Sequence, residues 1–247
     1  HTSSEHKWFK EALAAKPGSK ERDRYMFRDG KGPNGDLPPN NWEAVFGGPA
    51  WERVTEADGK PGQWYLHLFA VEQPDLNWEN QEVKDHLEDV LKFWLDRGVD
   101  GFRIDVAHGM IKEAGLPDIR KDPAAAMLGT EHKPFWDQEG VHDIYRSWRK
   151  ILNSYPGDRM AVAEAWVSPA SRIARYVRPD ELQNSFNFEM LTTLWDAQEI
   201  RTKIDNSIDA LAEVGAPTSW VFNNHDVVRS VDRLDLGLTN HGDTTEY

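Results

Sequence analysis

Between residues 81 and 226 the chain alternates segments of helical period with short apolar runs, and few folds satisfy that alternation. Val83, Leu87, Val90, Leu91, Trp94 and Leu95 recur at helical spacing, and Gly98 supplies the stop. Val99 to Val106 then reads as a strand, apolar at alternate positions. A second helix on Val141, Ile144, Tyr145, Trp148, Ile151 and Leu152 ends at Pro156-Gly157 and feeds a second strand, Met160 to Ala163. A third helix, Leu191 to Val214, feeds a further strand, Ser219 to Phe222, and a weaker strand candidate spans Gln183 to Phe188. Helices and strands in strict turn predict parallel βα units, closed as a barrel or open as a doubly wound sheet.

The residues at the strand ends separate these two. Gly101-Phe102-Arg103-Ile104-Asp105, Ala163-Glu164-Ala165-Trp166 and Asn223-Asn224-His225-Asp226 each deliver polar groups where a strand finishes, and His1-Thr2-Ser3 is of the same kind. Active-site groups gathered from several strand ends are the habit of a (β/α)₈ barrel, whereas an open sheet concentrates them at one crevice. Upstream, residues 17–62 hold eight glycines and six prolines, and no period survives there for more than a few residues. Trp8, Trp42, Trp51, Trp64 and Trp78 fall in or beside this loop-rich insertion, and a small aromatic core that holds irregular loops together accounts for most of them.

The three carboxylates stand in different surroundings. Arg103 and Asp105 are two apart on one strand, so their side chains leave the same face, and the guanidinium favours an ionised Asp105. Glu164 leaves an apolar strand beside an indole, where desolvation raises a carboxyl pKa and keeps the proton available. Asp226 sits with two amides, His225 and Arg229, groups suited to sugar hydroxyls and to positive charge. Each has a purely structural alternative: an ion pair, a glutamate at a helix N-terminus, and an Asx turn or cap. In combination, an ionised and a protonated carboxyl are the equipment of a glycosidase, matching nucleophile and acid/base of a retaining enzyme. No pair of histidines stands beside these acids at zinc-helix spacing, so no metal site is expected.

Bulk properties agree. The 247 residues carry a formal charge of −13 spread along the chain, which argues against nucleic acid and suits a neutral ligand. No apolar run approaches the roughly 18 residues of a membrane helix, and the absence of cysteine excludes disulfides and thiolate metal sites.

His1-Thr2-Ser3, QPDLNW at 73–78, GFRIDVAH at 101–108, AVAEAW at 161–166 and FNNHDVVR at 222–229 resemble, in order and spacing, the sequence blocks of glycoside hydrolase family 13, the α-amylase superfamily, in its bacterial α-glucosidase and oligo-1,6-glucosidase branch. The resemblance implies a partial (β/α)₈ barrel, about strands 3 to 7, with a loop-rich domain B inserted after strand 3: residues 1–80 would hold the end of strand 3 and domain B, and 81–247 the barrel segment. It implies Asp105 as nucleophile, Glu164 as general acid/base and Asp226 as transition-state stabiliser, with His1, Arg103, His225 and Arg229 binding substrate. The substrate implied is a short oligosaccharide or disaccharide, cleaved without a cofactor. Calcium or magnesium dependence stays open, because the ion-binding loop some relatives carry after strand 1 lies outside these blocks. Val106 after the nucleophile leans toward tolerance of α-1,6 bonds, and His108 without the Lys-His pair of endo-acting amylases speaks for exo attack. A sugar isomerase or transglycosylase with the same acids is the nearest alternative, and a non-catalytic binding homologue a remoter one. The resemblance also suggests a cytoplasmic location.

The chain begins at His1 without an initiator methionine and reads as a fragment; the resemblance implies that strands 1 and 2, most of strand 3, strand 8 and the C-terminal β-domain are absent from it. Barrels with missing strands leave open edges and bare apolar faces. Expressed alone, the 247 residues are therefore expected to be poorly soluble or inactive, and robust turnover of an α-glucoside by them would refute this.

Overall fold

A computed structural model describes residues 1–120 and 132–235; the polar stretch from Leu238 to Glu246 lies outside them. The chain divides into two units, His1–Asp89 with Met110–Gln138, and Val90–Gly109 with Glu139–Tyr247. This differs from the division expected at residue 80, since 110–138 joins the loop-rich part and the first boundary falls within a helix.

The first unit opens with helix α1 (Lys7–Ala14), whose N-cap His6 accepts from the Trp8 N–H through Nδ1. Its apolar face buries Phe9 edge-on against Tyr25 and Tyr65, with ring centroids 5.1 and 5.0 Å away. The short α2 (Lys20–Asp23) is capped by Ser19 and carries a buried arginine. Arg22 donates to the Ala12 carbonyl at 3.1 Å and to both carboxyl oxygens of Glu56 at 2.9 and 2.5 Å, so its charge is paired where water is excluded. Strands β1 (Phe27–Arg28), β2 (Trp51–Thr55) and β3 (Pro61–Leu66) form an antiparallel sheet with β3 in the middle. The β2–β3 hairpin turns at Asp58-Gly59, where Gly59 adopts φ +80°.

Trp42, Trp51, Leu66, Leu68 and Phe135 form the core of this sheet, with Trp64 packed on it. Trp78 is buried too, and Trp8 lies under the Arg24 guanidinium at 4.6 Å, so these tryptophans serve packing. The same core explains why 110–138 belongs here. Trp42 Nε1 donates to the Pro117 carbonyl at 2.8 Å, Asn41 and Ile119 exchange two hydrogen bonds, and Phe135 packs on Trp42 at 5.0 Å. Asp75, from the QPDLNW block, accepts from Lys112 Nζ at 2.9 Å and from the Leu68 N–H at 2.8 Å, both in buried surroundings.

The helix α3 (Gln81–Leu95), within which the boundary falls, stops just before Gly98, φ +89°, the glycine stop its sequence predicts. Strand β4 (Gly101–Ile104) pairs parallel with β5 (Met160–Ala163), and β5 with β6 (Asn184–Ser185). Strands in sequential order are the arrangement of a barrel wall; a doubly wound sheet reverses order at its switch point. Gly101 is required where β4 starts, because a Cβ there would meet the Met160 carbonyl oxygen at 2.4 Å. Helix α4 (Val141–Ser154) buries Val141, Ile144, Tyr145, Trp148 and Leu152, the predicted face apart from Ile151, which is partly buried.

Four expectations need correction. Only three of the five expected barrel strands form among the described residues, since His1-Thr2-Ser3 and Ser219 to Phe222 are not strands. Ser219 is tied to β6 by a side-chain bond from its Oγ to Asn184 Oδ1 at 2.6 Å, with no backbone ladder. The weak strand shrinks to two residues; at Gln183 the side chain shares the pairing with the backbone, accepting from the Ala161 N–H and donating to the Arg159 carbonyl while the Gln183 N–H donates to the Ala161 carbonyl. The third helix, α6 (Ala197–Ala212), starts six residues late, since Asp196 caps it and Leu191 is buried in an irregular stretch before it. Helix α5 (Ala170–Tyr176) was not foreseen, being too short for a clear period, and α7 (Ser230–Asp235) is shorter still. No described helix is long and apolar enough to cross a membrane.

The Asp75–Lys112 pair tests the packing of the first unit. Asp75 is the buried acceptor for both Lys112 Nζ and the Leu68 N–H, so Asp75→Ala should cost about 3–5 kcal/mol in denaturant unfolding. A loss below about 1 kcal/mol would show the pair to be as dispensable as a surface ion pair.

Candidate active site

The parallel register of β4 and β5 aligns Arg103 with Val162 and Ile104 with Ala163. The residues one step beyond, Asp105 and Glu164, therefore leave neighbouring strands at the same height. The Glu164 N–H donates to the Ile104 carbonyl at 2.9 Å, and the Ala107 N–H donates back to the Glu164 carbonyl at 2.9 Å, so the junction is closed on both sides.

Arg103 joins the two acids. Its Nη1 donates to Asp105 Oδ1 at 2.6 Å and its Nη2 reaches Glu164 Oε2 at 2.8 Å. The acids differ in exposure: the Glu164 side chain is 7% exposed and that of Asp105 60%. Burial pushes the Glu164 carboxyl up, and its hydrogen bond with Asp105 adds to this; the Val106 N–H and the Arg103 charge pull the other way without cancelling it. For Asp105 burial also pushes up, but hydrogen bonds with Glu164 and Arg103 and the Arg103 charge outweigh it and hold the carboxyl below its ordinary range. The two shifts run in opposite directions, so a proton shared by the pair favours Glu164 over Asp105. The indole expected beside Glu164 instead stacks on Phe188 at 4.1 Å; the buried neighbours of Glu164 along the chain are Ala163 and Ala165.

Residues 223–226 supply the remaining groups. Asn223 Oδ1 accepts from the Ser230 N–H at 2.6 Å and Asn224 Oδ1 from the Asp226 N–H at 3.0 Å, so the asparagines shape the turn in the structural way Asx residues favour. His225 and Asp226 stay exposed, with Nε2 and Oδ1 3.4 Å apart. The Asp226 charge acts on Arg103 and the His225 charge on Asp105, which brings both into the electrostatic field of the cluster. Arg229 does not join it: its carbonyl accepts from the Arg233 N–H, and its exposed side chain has no hydrogen bond or ion pair among the described residues. His1 belongs to the first unit, where its Nε2 lies 3.1 Å from Gln73 Nε2 and its ring 5.8 Å from Phe69. No three His, Asp or Glu side chains gather as a metal site among the described residues.

One contributor escapes sequence reasoning. Val106 adopts φ +45° and donates its N–H to Glu164 Oε2 at 3.2 Å. Nothing in a valine announces a left-handed backbone, which β-branched residues avoid.

The model of the α-amylase catalytic domain matches residues 1–241. The chain belongs to the α-amylase family. Among curated relatives it is 37% identical over 246 residues to the probable oligo-1,6-glucosidase 3 of Bacillus subtilis, covering 94% of this chain and 41% of the relative. Among solved structures, this α-amylase-family chain superposes on the trehalose-6-phosphate hydrolase of Bacillus licheniformis with TM-score 0.79 at 33% identity, covering 94% of the chain and 42% of that enzyme. An isomaltulose synthase of Erwinia rhapontici matches with TM-score 0.79 at 30% identity, covering 94% and 41%. The chain thus spans less than half the length of the relatives it matches.

The shared proton gives a test. Asp105→Asn removes the negative acceptor that helps keep Glu164 protonated, so the Glu164 pKa should fall while burial still holds it above the ordinary value. A raised folded pKa contributes stability below the unfolded pKa that is lost as pH rises through the folded value, so in the variant that loss should be smaller and should end at lower pH. Carboxyl ¹³C titration by NMR reads the shift, and an unchanged titration would assign it to burial alone.

Proposed function

We propose that the protein is a retaining α-glucosidase that releases terminal glucosyl units from short α-glucosides. The observation that carries this reading is the Arg103 guanidinium spanning two acids on neighbouring strands, an exposed Asp105 held below the ordinary carboxyl range and a buried Glu164 pushed above it. Retaining enzymes hold their carboxyls about 5–5.5 Å apart and inverting ones about 6.5–9.5 Å, and two acids bridged by one guanidinium suit the closer spacing.

In this reading Asp105 attacks the anomeric carbon as Glu164 gives its proton to the glycosidic oxygen, so the aglycone leaves as an alcohol and a glucosyl ester forms on Asp105. Glu164, now a carboxylate, takes a proton from water as that water attacks the same carbon and the ester bond breaks. Asp226 offsets the positive charge that develops on the sugar, while Arg103 and His225 hold its hydroxyls. The likeness to an oligo-1,6-glucosidase and the valine at position 106 favour substrates that include α-1,6 bonds. The likeness to an isomaltulose synthase supports a second reading, in which a sugar hydroxyl replaces water in the second step.

Three measurements on the natural protein that bears this sequence decide the matter. With an aryl α-glucoside, the first glucose observed by NMR should be the α-anomer, and initial release of the β-anomer would overturn retention. Glu164→Gln should lower turnover by about 10²–10⁴-fold, the usual contribution of a general acid, and Asp105→Asn should abolish it; unchanged activity would remove either residue from its role. With sucrose, a predominance of isomerised disaccharide over free hexose would select the second reading.

A further inference from the structure

We propose that Val106 is a positioning residue: its left-handed backbone aims its N–H at Glu164 Oε2 and so sets how tightly that carboxyl holds its proton. The inference rests on the role proposed for Glu164. Valine at φ +45° is a strained conformation, and such strain persists only where the surroundings over-determine it. Here they do. The Ala107 N–H donates to the Glu164 carbonyl at 2.9 Å, the Gly109 N–H to the Val106 carbonyl at 2.9 Å, and the buried Tyr145 hydroxyl to the Ala107 carbonyl. The turn from Asp105 to Gly109 is thereby pinned to the end of β5, and the Val106 N–H meets the acid from the side of its partner, Asp105.

The bond has chemical meaning because Glu164 must work in two states. Protonated, it supplies the leaving group with a proton; ionised, it takes one from water. The groups that act on it are Arg103 and Asp105 from β4 and its end, with His225 and Asp226 acting through those two. Arg103 is shared with Asp105, so its charge is divided. The Val106 N–H is bonded to Glu164 and stabilises its carboxylate, limiting the rise that burial imposes.

Replacing the Val106 amide by an ester, with the hydroxy-acid analogue of valine, deletes the N–H and keeps the side chain. Carboxyl NMR of the unliganded protein should then show the Glu164 titration moved up by about 0.5–1 pH unit, the worth of one hydrogen bond. Val106→Gly, which tolerates φ above zero and keeps the N–H, should leave that titration near the native value. A titration unmoved by the ester, or moved as far by the glycine, would overturn the proposal. The readout does not call on turnover, so an enzyme that failed the glucosidase assays would leave this result standing, and a flat titration would leave the glucosidase reading intact.

Discussion

One guanidinium holds the second unit's chemistry together. Arginine offers two terminal nitrogens in a rigid fork, and Arg103 places one on each acid, which a lysine ammonium could not do with the same geometry. A single positive charge cannot keep two adjacent carboxyls fully ionised when one of them is buried. Burial therefore biases Glu164 toward its protonated form, while Arg103 biases the more exposed Asp105 toward its ionised one. The arrangement depends in turn on the register of β4 against β5. A slip of one residue would send Arg103 and Asp105 to the opposite face, among the helices, and dissolve the pairing.

The first unit solves a different problem, since much of its chain lies outside helices and strands and its backbone groups still need partners. Tryptophan meets that need from both ends. The rings of Trp42, Trp51 and Trp64 fill or flank the core, while their indole N–H groups donate to Pro117, Asn40 and Gly35 respectively, each in a loop. A ring that packs and a tip that bonds can fix an irregular segment where an aliphatic side chain would only pack. Buried charges obey the same economy, with Arg22 on Glu56 and Lys112 on Asp75 both paired within hydrogen-bonding distance.

What the sequence discloses follows from how local each cause is. Helix α4 and the strands β4 and β5 were legible because a period or an alternation is written in the residues themselves, and the same strands placed Arg103, Asp105 and Glu164 at their ends. The strand expected at Ser219 to Phe222 failed because pairing depends on a neighbour, and its link to β6 runs through Ser219 and Asn184 side chains. The assignment of 110–138 to the first unit was equally hidden, resting on contacts such as Asn41 with Ile119 across 78 positions. Val106 was named for its side chain, whereas its backbone makes the contact with Glu164.

Asp226 and His225 show how the site depends on what enters it. Both are exposed, and their fields at Arg103 and Asp105 are weakened by the water around them. A sugar ring seated against Asp105 would displace that water and strengthen each of these interactions at once, since the same charges act more strongly as the dielectric falls. Asp226 would then exert its full effect only in the occupied site, when positive charge is developing on the sugar. Glu164 is already desolvated before any ligand arrives, which biases its carboxyl toward holding a proton, while in the proposed reaction the stabilising charge of Asp226 waits for the ligand.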